Sequence, residues 1–314
     1  MAKLKFGVFL PLYAFQAKTP TEYYDHLKTT VLECERLGYD AVWLDDHLMY
    51  NNWPILEPWT TLSALSALTS KIRLGTMVTC NAHRNPALLA KTAATLDVLS
   101  NGRLEFGIGA GCQEAEHMAY GFGFPKPNVR IEQLGEALEV ITRLWTQKKA
   151  TYQGKHYALK DAVCEPKPLQ KPHPSITVGG SGERLLKVTA KYADRFDWAF
   201  LPVDTYRRKL EVLEKQCKAV GRDFRAIERS CWPGGEVLIA KDPKELGELI
   251  SRHKPEGTPL KEYREGTLAG TPDECRQRLQ VYVDLDVTYF MLYFAGLPNL
   301  DGLRLFAETV AKEF

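Results

Sequence analysis

The chain has 314 residues, 45% hydrophobic and 25% charged, with 41 basic against 39 acidic side chains and a formal net charge of +2. That composition belongs to a globular protein with one large core, and its near-balanced charge argues against a nucleic-acid or polyanion partner. Seven scattered cysteines, an odd number with no C-x-x-C pair, speak against a disulfide framework and a structural zinc site, and fit a reducing cytoplasm.

The elements follow in chain order. Residues 4–10 read as a first strand, and nothing in the first residues has the pattern of a signal peptide. No apolar run reaches the roughly 20 residues that span a bilayer, so no membrane association is expected. A helix is predicted over 21–37, stopping at Gly38, where a helix end favours glycine. Residues 41–44 form a second strand, followed by Asp45-Asp46-His47. Residues 58–69 are helical and 72–78 are the third strand. Residues 86–99 form a helix opened by proline and closed by Asn101-Gly102. The fourth strand, 104–108, runs into Gly107-Ile108-Gly109-Ala110-Gly111. Apolar Ile131, Leu134, Leu138, Ile141 and Leu144 mark one face of a helix over 130–145.

The alternation then breaks. Residues 148–174, rich in proline and lysine, read as a surface insertion with a short hairpin. Strand five, 176–178, runs into Gly179-Gly180-Ser181-Gly182 and a helix over 183–192. Strand six is 196–200, followed by a helix over 204–220, and strand seven is 236–240. A polar segment near 243–270 reads as a second insertion. A helix over 273–284, strand eight over 288–294 and a helix over 300–313 close the chain. Eight strand–helix units without a domain break predict a single domain, 1–314, folded as an α/β (β/α)8 TIM barrel with insertions. The rival is an open doubly wound sheet.

In a barrel, chemistry collects at the C-terminal ends of the strands. That rule selects Asp45, Asp46 and His47 after strand two. It selects Thr79, Cys80, Asn81, His83 and Arg84 after strand three, and Cys112, Gln113, Glu114, Glu116 and His117 after strand four. Glu57, at the start of the second helix, lies on the same face. A histidine beside a carboxylate is suited to proton transfer near neutrality, which singles out Asp46-His47. The two glycine turns let backbone approach a bulky ligand, and a helix opening after such a turn suits a phosphate. His83, His117, Glu114 and Glu116 have no H-x-x-x-H or H-E-x-x-H spacing, so no metal is expected. The absence of G-x-S-x-G speaks against a hydrolase, and the absence of G-x-G-x-x-G after the first strand against a nicotinamide site.

Several segments together resemble the luciferase-like flavin and deazaflavin oxidoreductases. They are Gly38-Tyr39-Asp40-Ala41-Val42-Trp43 with Asp46-His47, Ile72-Arg73-Leu74-Gly75-Thr76-Met77-Val78-Thr79, and Asn85-Pro86-Ala87-Leu88-Leu89-Ala90-Lys91. Leu99-Ser100-Asn101-Gly102-Arg103, Tyr152-Gln153-Gly154-Lys155-His156-Tyr157, Val178-Gly179-Gly180-Ser181-Gly182-Glu183-Arg184 and Gly270-Thr271-Pro272 continue the series. The glycine turn before Glu183-Arg184 is most similar to the branch that uses coenzyme F420, a 5-deazaflavin.

The resemblance implies a bacterial luciferase-like barrel, a small-molecule substrate and a homodimer. It implies that His47 stands beside the reactive carbon of the deazaflavin and that Asp46 touches the ring. Met77-Val78 matches a non-proline cis peptide behind the ring. Cys80, Ala110 and Gly111 match positions along the cofactor, and Gly179, Gly180, Ser181 and Gly182 match the phosphate-binding turn. Relatives that oxidise sugar phosphates carry a glutamate where this chain has Cys112. That departure speaks against a sugar-phosphate substrate, and leaves Glu114 and Glu57 as the carboxylates that would serve beside His47. The expected activity is hydride transfer between F420 and a small organic substrate. The alternatives are an FMN-dependent monooxygenase and a non-catalytic flavin- or deazaflavin-binding protein.

Overall fold

A computed structural model describes residues 3–15, 17–51 and 53–314. Met1, Ala2, Gln16 and Asn52, the last within the loop 51–56, lie outside the described residues. Eight parallel staves form the sheet: β1 (Lys5–Phe9), β2 (Ala41–Leu44), β3 (Arg73–Thr76) continued by β4 (Thr79–Cys80), β5 (Leu104–Gly109), β8 (Ile176–Gly179), β9 (Arg195–Asp197), β10 (Ser230–Cys231) and β13 (Tyr289–Leu292). The hydrogen-bonded order is β10-β13-β1-β2-β3-β5-β8-β9, and a parallel bridge between Arg195 and Glu228 joins its two ends. The sheet is therefore a closed (β/α)8 barrel, as the alternation predicted.

Side chains alternate between two apolar layers, as a strand's two-residue period requires. Val42 and Leu44 face the outer helices, while Ala41, Trp43, Tyr289 and Met291 fill the interior. Gly7 makes the interior fit possible. A Cβ there would stand 2.5 Å from Tyr289 Oη and 2.7 Å from Trp43 Nε1. The freed space lets Trp43 donate to Tyr289 Oη at 2.8 Å.

The outer ring comprises α1 (Pro20–Leu37), α2 (Pro58–Leu68), α3 (Pro86–Leu99), α5 (Pro127–Thr146), α6 (Glu183–Tyr192), α7 (Val203–Ala219), α10 (Pro272–Val283) and α11 (Asp301–Thr309). Prolines open α1, α2, α3, α5 and α10, where a missing N–H costs no helix bond. Gly38 ends α1 with φ +84°. Thr271 and Glu274 form a capping box at the start of α10. No helix among the described residues is long and apolar enough to cross a membrane.

The structure departs from the sequence-based expectation in two places. The seventh stave is the two-residue β10, while β11 (Val237–Ile239) pairs with β12 (Leu268–Gly270) in a separate small sheet. The apolar run over 236–240 outshone Ser230-Cys231, which carries too few residues to show a period. A short helix, α4 (Glu114–Ala119), follows β5 unforeseen. The segment near 243–270 holds two helices, α8 (Pro243–His253) and α9 (Leu260–Gly266). The expected hairpin in the segment 148–174 is β6 (Ala150–Gln153) with β7 (Ala158–Ala162).

Candidate active site

The loops after β2, β4 and β5 meet at the C-terminal mouth. His47 follows β2 by three residues, with its side chain 21% exposed. Its Nδ1 lies 3.1 Å from Glu116 Oε2. Glu116 reaches in from α4 and is buried. Its other oxygen accepts the Leu48 amide and, at 3.2 Å, the Met49 amide. Burial pushes the Glu116 carboxyl up, but those amides and the His47 ring outweigh it and hold it below the ordinary glutamate value. Glu116 is therefore an anion that fixes both the loop after His47 and the imidazole itself.

Glu114 stands elsewhere. It is exposed on the first turn of α4. Residues two apart on a helix point about 200° apart, so Glu114 and Glu116 cannot share a face. The structure thus brings Glu116, not Glu114, to His47.

Asp46 and Glu57 are held by Arg84. Its guanidinium donates to Asp46 Oδ2 at 2.6 Å, to Asp46 Oδ1 at 2.9 Å and to Glu57 Oε1 at 2.6 Å. Asp46 Oδ2 also accepts the Cys80 amide at 2.8 Å. Glu57 caps α2, accepting the Thr60 amide at 2.7 Å. Burial raises the Glu57 carboxyl, yet the Thr60 and Arg84 bonds bring it below its usual value. Both carboxylates are engaged in building the mouth. In this arrangement Asp46 pins the β4 loop, and Glu57 is an ion-pair partner rather than a free base.

The peptide bond between Met77 and Val78 is cis, at the position matched to the family bulge. Val78 packs between two staves. A Cβ on Gly109 would lie 2.7 Å from Val78 Cγ2, and one on Gly179 would lie 2.8 Å from it. Those glycines leave room for a protein side chain, where the sequence pattern had suggested room for a ligand. Gly182 differs, because a Cβ there meets nothing within 4 Å. It is the N-cap of α6 and has no side-chain capping bond. Gly180, at φ +110°, shapes the turn, and Ser181 is partly exposed beside it.

Two features of the mouth left no sequence signal. Tyr13 and Tyr50 stack at 4.6 Å between ring centroids, with Trp53 5.9 Å from Tyr50 and His47 at the same 5.9 Å. Asp197, at the end of β9, accepts the Trp232 indole N–H at 2.5 Å and is buried. Burial pushes its carboxyl up to about 6, against the pull of Trp232 and Arg195. Residues that meet only through the fold, such as Tyr13 and Tyr50, have no spacing rule to betray them.

Cys80, His83 and His117 also converge, their ligand-type atoms all within 4.8 Å of one another. The sequence had offered His83 and His117 with Glu114 and Glu116 and no spacing to support them. The fold substitutes Cys80, which carries a raised thiol pKa of about 12 because of burial. Ala110 and Gly111 follow β5, and Gly111, at φ +81°, borders the same corner.

A closed barrel with a histidine–carboxylate pair at its C-terminal mouth defines an enzyme of the TIM-barrel class. Residues 4–264 match the family model for luciferase-like monooxygenases. The chain belongs to that family and is an oxidoreductase. It is 34% identical over 247 residues to an uncharacterized protein of Mycobacterium tuberculosis, 78% of each chain. It is 28% identical over 309 residues to an F420-dependent glucose-6-phosphate dehydrogenase of Microbacterium testaceum, covering 88% of this chain and 89% of that one. Its fold is similar to that of an F420-dependent secondary alcohol dehydrogenase in complex with an F420-acetone adduct, with a TM-score of 0.81, 22% identity and 98% of each chain covered.

Proposed function

We propose that this chain is an F420-dependent oxidoreductase acting on a small organic substrate other than a sugar phosphate. The observation that carries the reading is the His47–Glu116 pair held at the mouth, 3.1 Å from Nδ1 to Oε2. The exclusion of sugar phosphates rests on Cys112, an exposed thiol where such relatives carry a glutamate.

The residues fit a phosphate-bearing cofactor. The uncapped N-terminus of α6, ten residues long, leaves backbone N–H groups at Gly182 and the residues after it open to an anion. Gly180, Ser181 and Gly182 would hold the phosphate there. The deazaflavin, when bound, supplies the hydride carrier. Ala110, Gly111 and the Met77-Val78 bulge would border its ring, with Gly179 acting indirectly by seating Val78.

His47 handles the proton. Glu116 is an acceptor, so His47 Nδ1 donates its N–H to it. In the neutral ring Nε2 then carries the lone pair, and it takes a proton from the substrate atom that loses one or returns it in the reverse direction. The ion pair with Glu116 strengthens as the ring becomes charged, which is stabilisation gained during the reaction rather than before it. Tyr13, Tyr50 and Trp53 offer aromatic surface beside His47 on which an apolar substrate can rest. We extend the reading to a homodimer, on the family resemblance, and to a reducing cytoplasm, on seven free thiols.

Fluorescence titration of the purified protein with F420 and with FMN tests the assignment. Tighter binding of F420 is expected. Equal or tighter binding of FMN would replace this reading with an FMN-dependent monooxygenase. Tight binding with no hydride transfer to any carbonyl or alcohol in a substrate panel would leave a cofactor-binding protein without turnover.

A further inference from the structure

On the far side of Glu116 from His47, three side chains of metal-binding type meet without being needed by the hydride chemistry. Cys80 Sγ lies 3.5 Å from His117 Nε2. The His83 and His117 rings are 5.0 Å apart between centroids. All three residues are buried, and the His83 side chain is only 2% exposed. From these observations we propose that Cys80, His83 and His117 form a binding site for a zinc-like divalent cation, with water in the fourth position. The proposal stands whichever cofactor the mouth takes.

Four independent features support it. First, the protonation pattern is right. His117 Nδ1 lies 2.8 Å from the Gln113 carbonyl oxygen, which can only accept, so the ring proton sits on Nδ1. Nε2 is thereby left with a lone pair aimed at Cys80, and a backbone carbonyl on the far nitrogen is the usual outer support of a metal-bound histidine.

Second, His83 is unsatisfied. Neither ring nitrogen has a hydrogen-bond partner, although both are buried. Leaving a buried polar group unpaired costs about 1–3 kcal/mol, so a built-in orphan calls for a reason. A cation supplies one. Whichever nitrogen ligates, the other faces a carboxylate: Nδ1 is 4.0 Å from Asp46 Oδ2, and Nε2 is 3.8 Å from Glu116 Oε2. Both separations exceed a hydrogen bond, so these carboxylates favour a cation at His83 through their charge.

Third, the dimensions suit tetrahedral zinc. Bonds of about 2.3 Å to sulfur and 2.0–2.1 Å to nitrogen, at tetrahedral angles, put the two ligand atoms about 3.5 Å apart. The Cys80 Sγ–His117 Nε2 separation of 3.5 Å matches, and the His83 nitrogen, within 4.8 Å of both, closes in when the ion binds. Fourth, the wall nearest the ligand atoms is a glycine, with no side chain to crowd an ion. It is Gly111, and a Cβ there would lie 2.8 Å from Cys80 Sγ and 3.0 Å from His117 Nε2. Three protein ligands and a water form the pattern of a zinc site that keeps one exchangeable position.

Binding balances as follows. The Cys80 S–H loses its proton to solvent and its thiolate bonds the cation, while the two neutral imidazoles each donate a lone pair. A divalent ion with one thiolate leaves one positive charge, and the Glu116 carboxylate stands beside it. The ion would tie the loop carrying Cys80 and His83 to α4, the helix that delivers Glu116 to His47.

The test uses the full-length protein, stripped with a chelator and then titrated with Co2+ and Zn2+. One equivalent of Co2+ per chain is expected to give the strong visible bands of tetrahedral cobalt and a thiolate-to-cobalt band in the near ultraviolet. Zn2+, followed by competition with a chromophoric chelator, should bind with the same stoichiometry. Cys80→Ser should abolish the thiolate band. His83→Gln and His117→Gln should each weaken zinc by more than about 100-fold, beyond the 10–100-fold typical of outer-shell changes. Cys112→Ser should leave the thiolate band intact, since Cys112 is exposed and lies outside the cluster. Circular dichroism verifies that each variant is folded, and the wild-type cobalt spectrum stands independently of them. No saturable binding by the wild-type chain, an octahedral cobalt spectrum, or a thiolate band that survives Cys80→Ser would each overturn the proposal.

Discussion

At the N-terminal end of the barrel, Arg195 lies inside the ring of staves with its Nη1 3.0 Å from Glu105 and its Nε 2.8 Å from Glu228. Arg73 pairs with Glu105 from one side, Lys5 meets Glu228 at 2.8 Å from the other, and the Tyr289 ring lies 4.0 Å below the guanidinium. At the C-terminal end, the charges are as dense but the bonding is incomplete. Arg84, Asp46 and Glu57 pair fully, and so do His47 and Glu116, yet Asp45 Oδ2, Asn81 Oδ1 and both nitrogens of His83 are buried with no partner. One end is saturated with hydrogen bonds and the other keeps capacity in reserve. Buried charge that is fully paired closes a barrel, whereas buried polar atoms left open at the mouth offer a ligand bonds that the protein does not make itself.

The contrast is best broken from its two ends. His47→Asn should slow hydride transfer by about 10²–10⁴-fold, the usual contribution of one acid–base side chain, or roughly 3–5 kcal/mol of barrier. Cofactor affinity should change little if, as proposed, the phosphate is held at the α6 turn rather than by His47. Stopped-flow reduction beside a binding titration separates the two. Near-normal transfer, or outright loss of binding, would remove the role assigned to His47.

Arg195→Met attacks the saturated end. Removing one partner of a buried pair leaves uncompensated charge, which costs about 3–5 kcal/mol. The lower figure applies here, since Arg73 still faces Glu105 and Lys5 still faces Glu228. Urea unfolding should show that loss, while the rate per folded molecule stays near wild type. A variant as stable as wild type would mean that the network contributes nothing net.

Asp197 sharpens the comparison through pH. Its folded carboxyl sits at about 6 against an ordinary 3.8, raised by burial first. A raised folded value means that the fold prefers the protonated acid. Its contribution to stability is complete below about pH 4 and is lost as pH rises through 6. Asp197→Asn should therefore gain on wild type between about pH 4 and 6, by about 1–3 kcal/mol at neutrality. Chemical denaturation at several pH values reads the effect, and a pH-independent difference would contradict it. Cys112→Ser gives the smallest change, within about 0.5 kcal/mol of wild-type stability, as suits an exposed side chain.

How much of this was readable beforehand follows from the kind of signal involved. The staves β2, β5 and β8 were legible because both faces are buried, giving short apolar runs bounded by Gly, Asn or Asp. The α3 and α6 boundaries were legible from proline, glycine and the periodic stripe. The stave β10 was not, since two residues carry no period and its place in the barrel depends on pairing with β13. In the site, His47 and Cys80 followed from position after a strand. Glu116 did not emerge as the partner of His47, because α4 is too short for a stripe and Glu114 offered an equal carboxylate two residues away. Only the helix phase decides between them. The Arg84 bridge between Asp46 and Glu57 spans 38 and 27 residues of chain, so no local pattern could record it.

Val78 carries a consequence for how this chain can vary. Its two methyl groups occupy space that both Gly109 and Gly179 must vacate. Each glycine is thus locked singly, but the three positions form one exchangeable unit. A smaller residue at 78 would release both neighbouring staves to accept alanine, and restoring valine would then be blocked. Variation around the bed of the mouth should therefore run in a fixed order, position 78 first, and a library that randomised only 109 or 179 would find no route through.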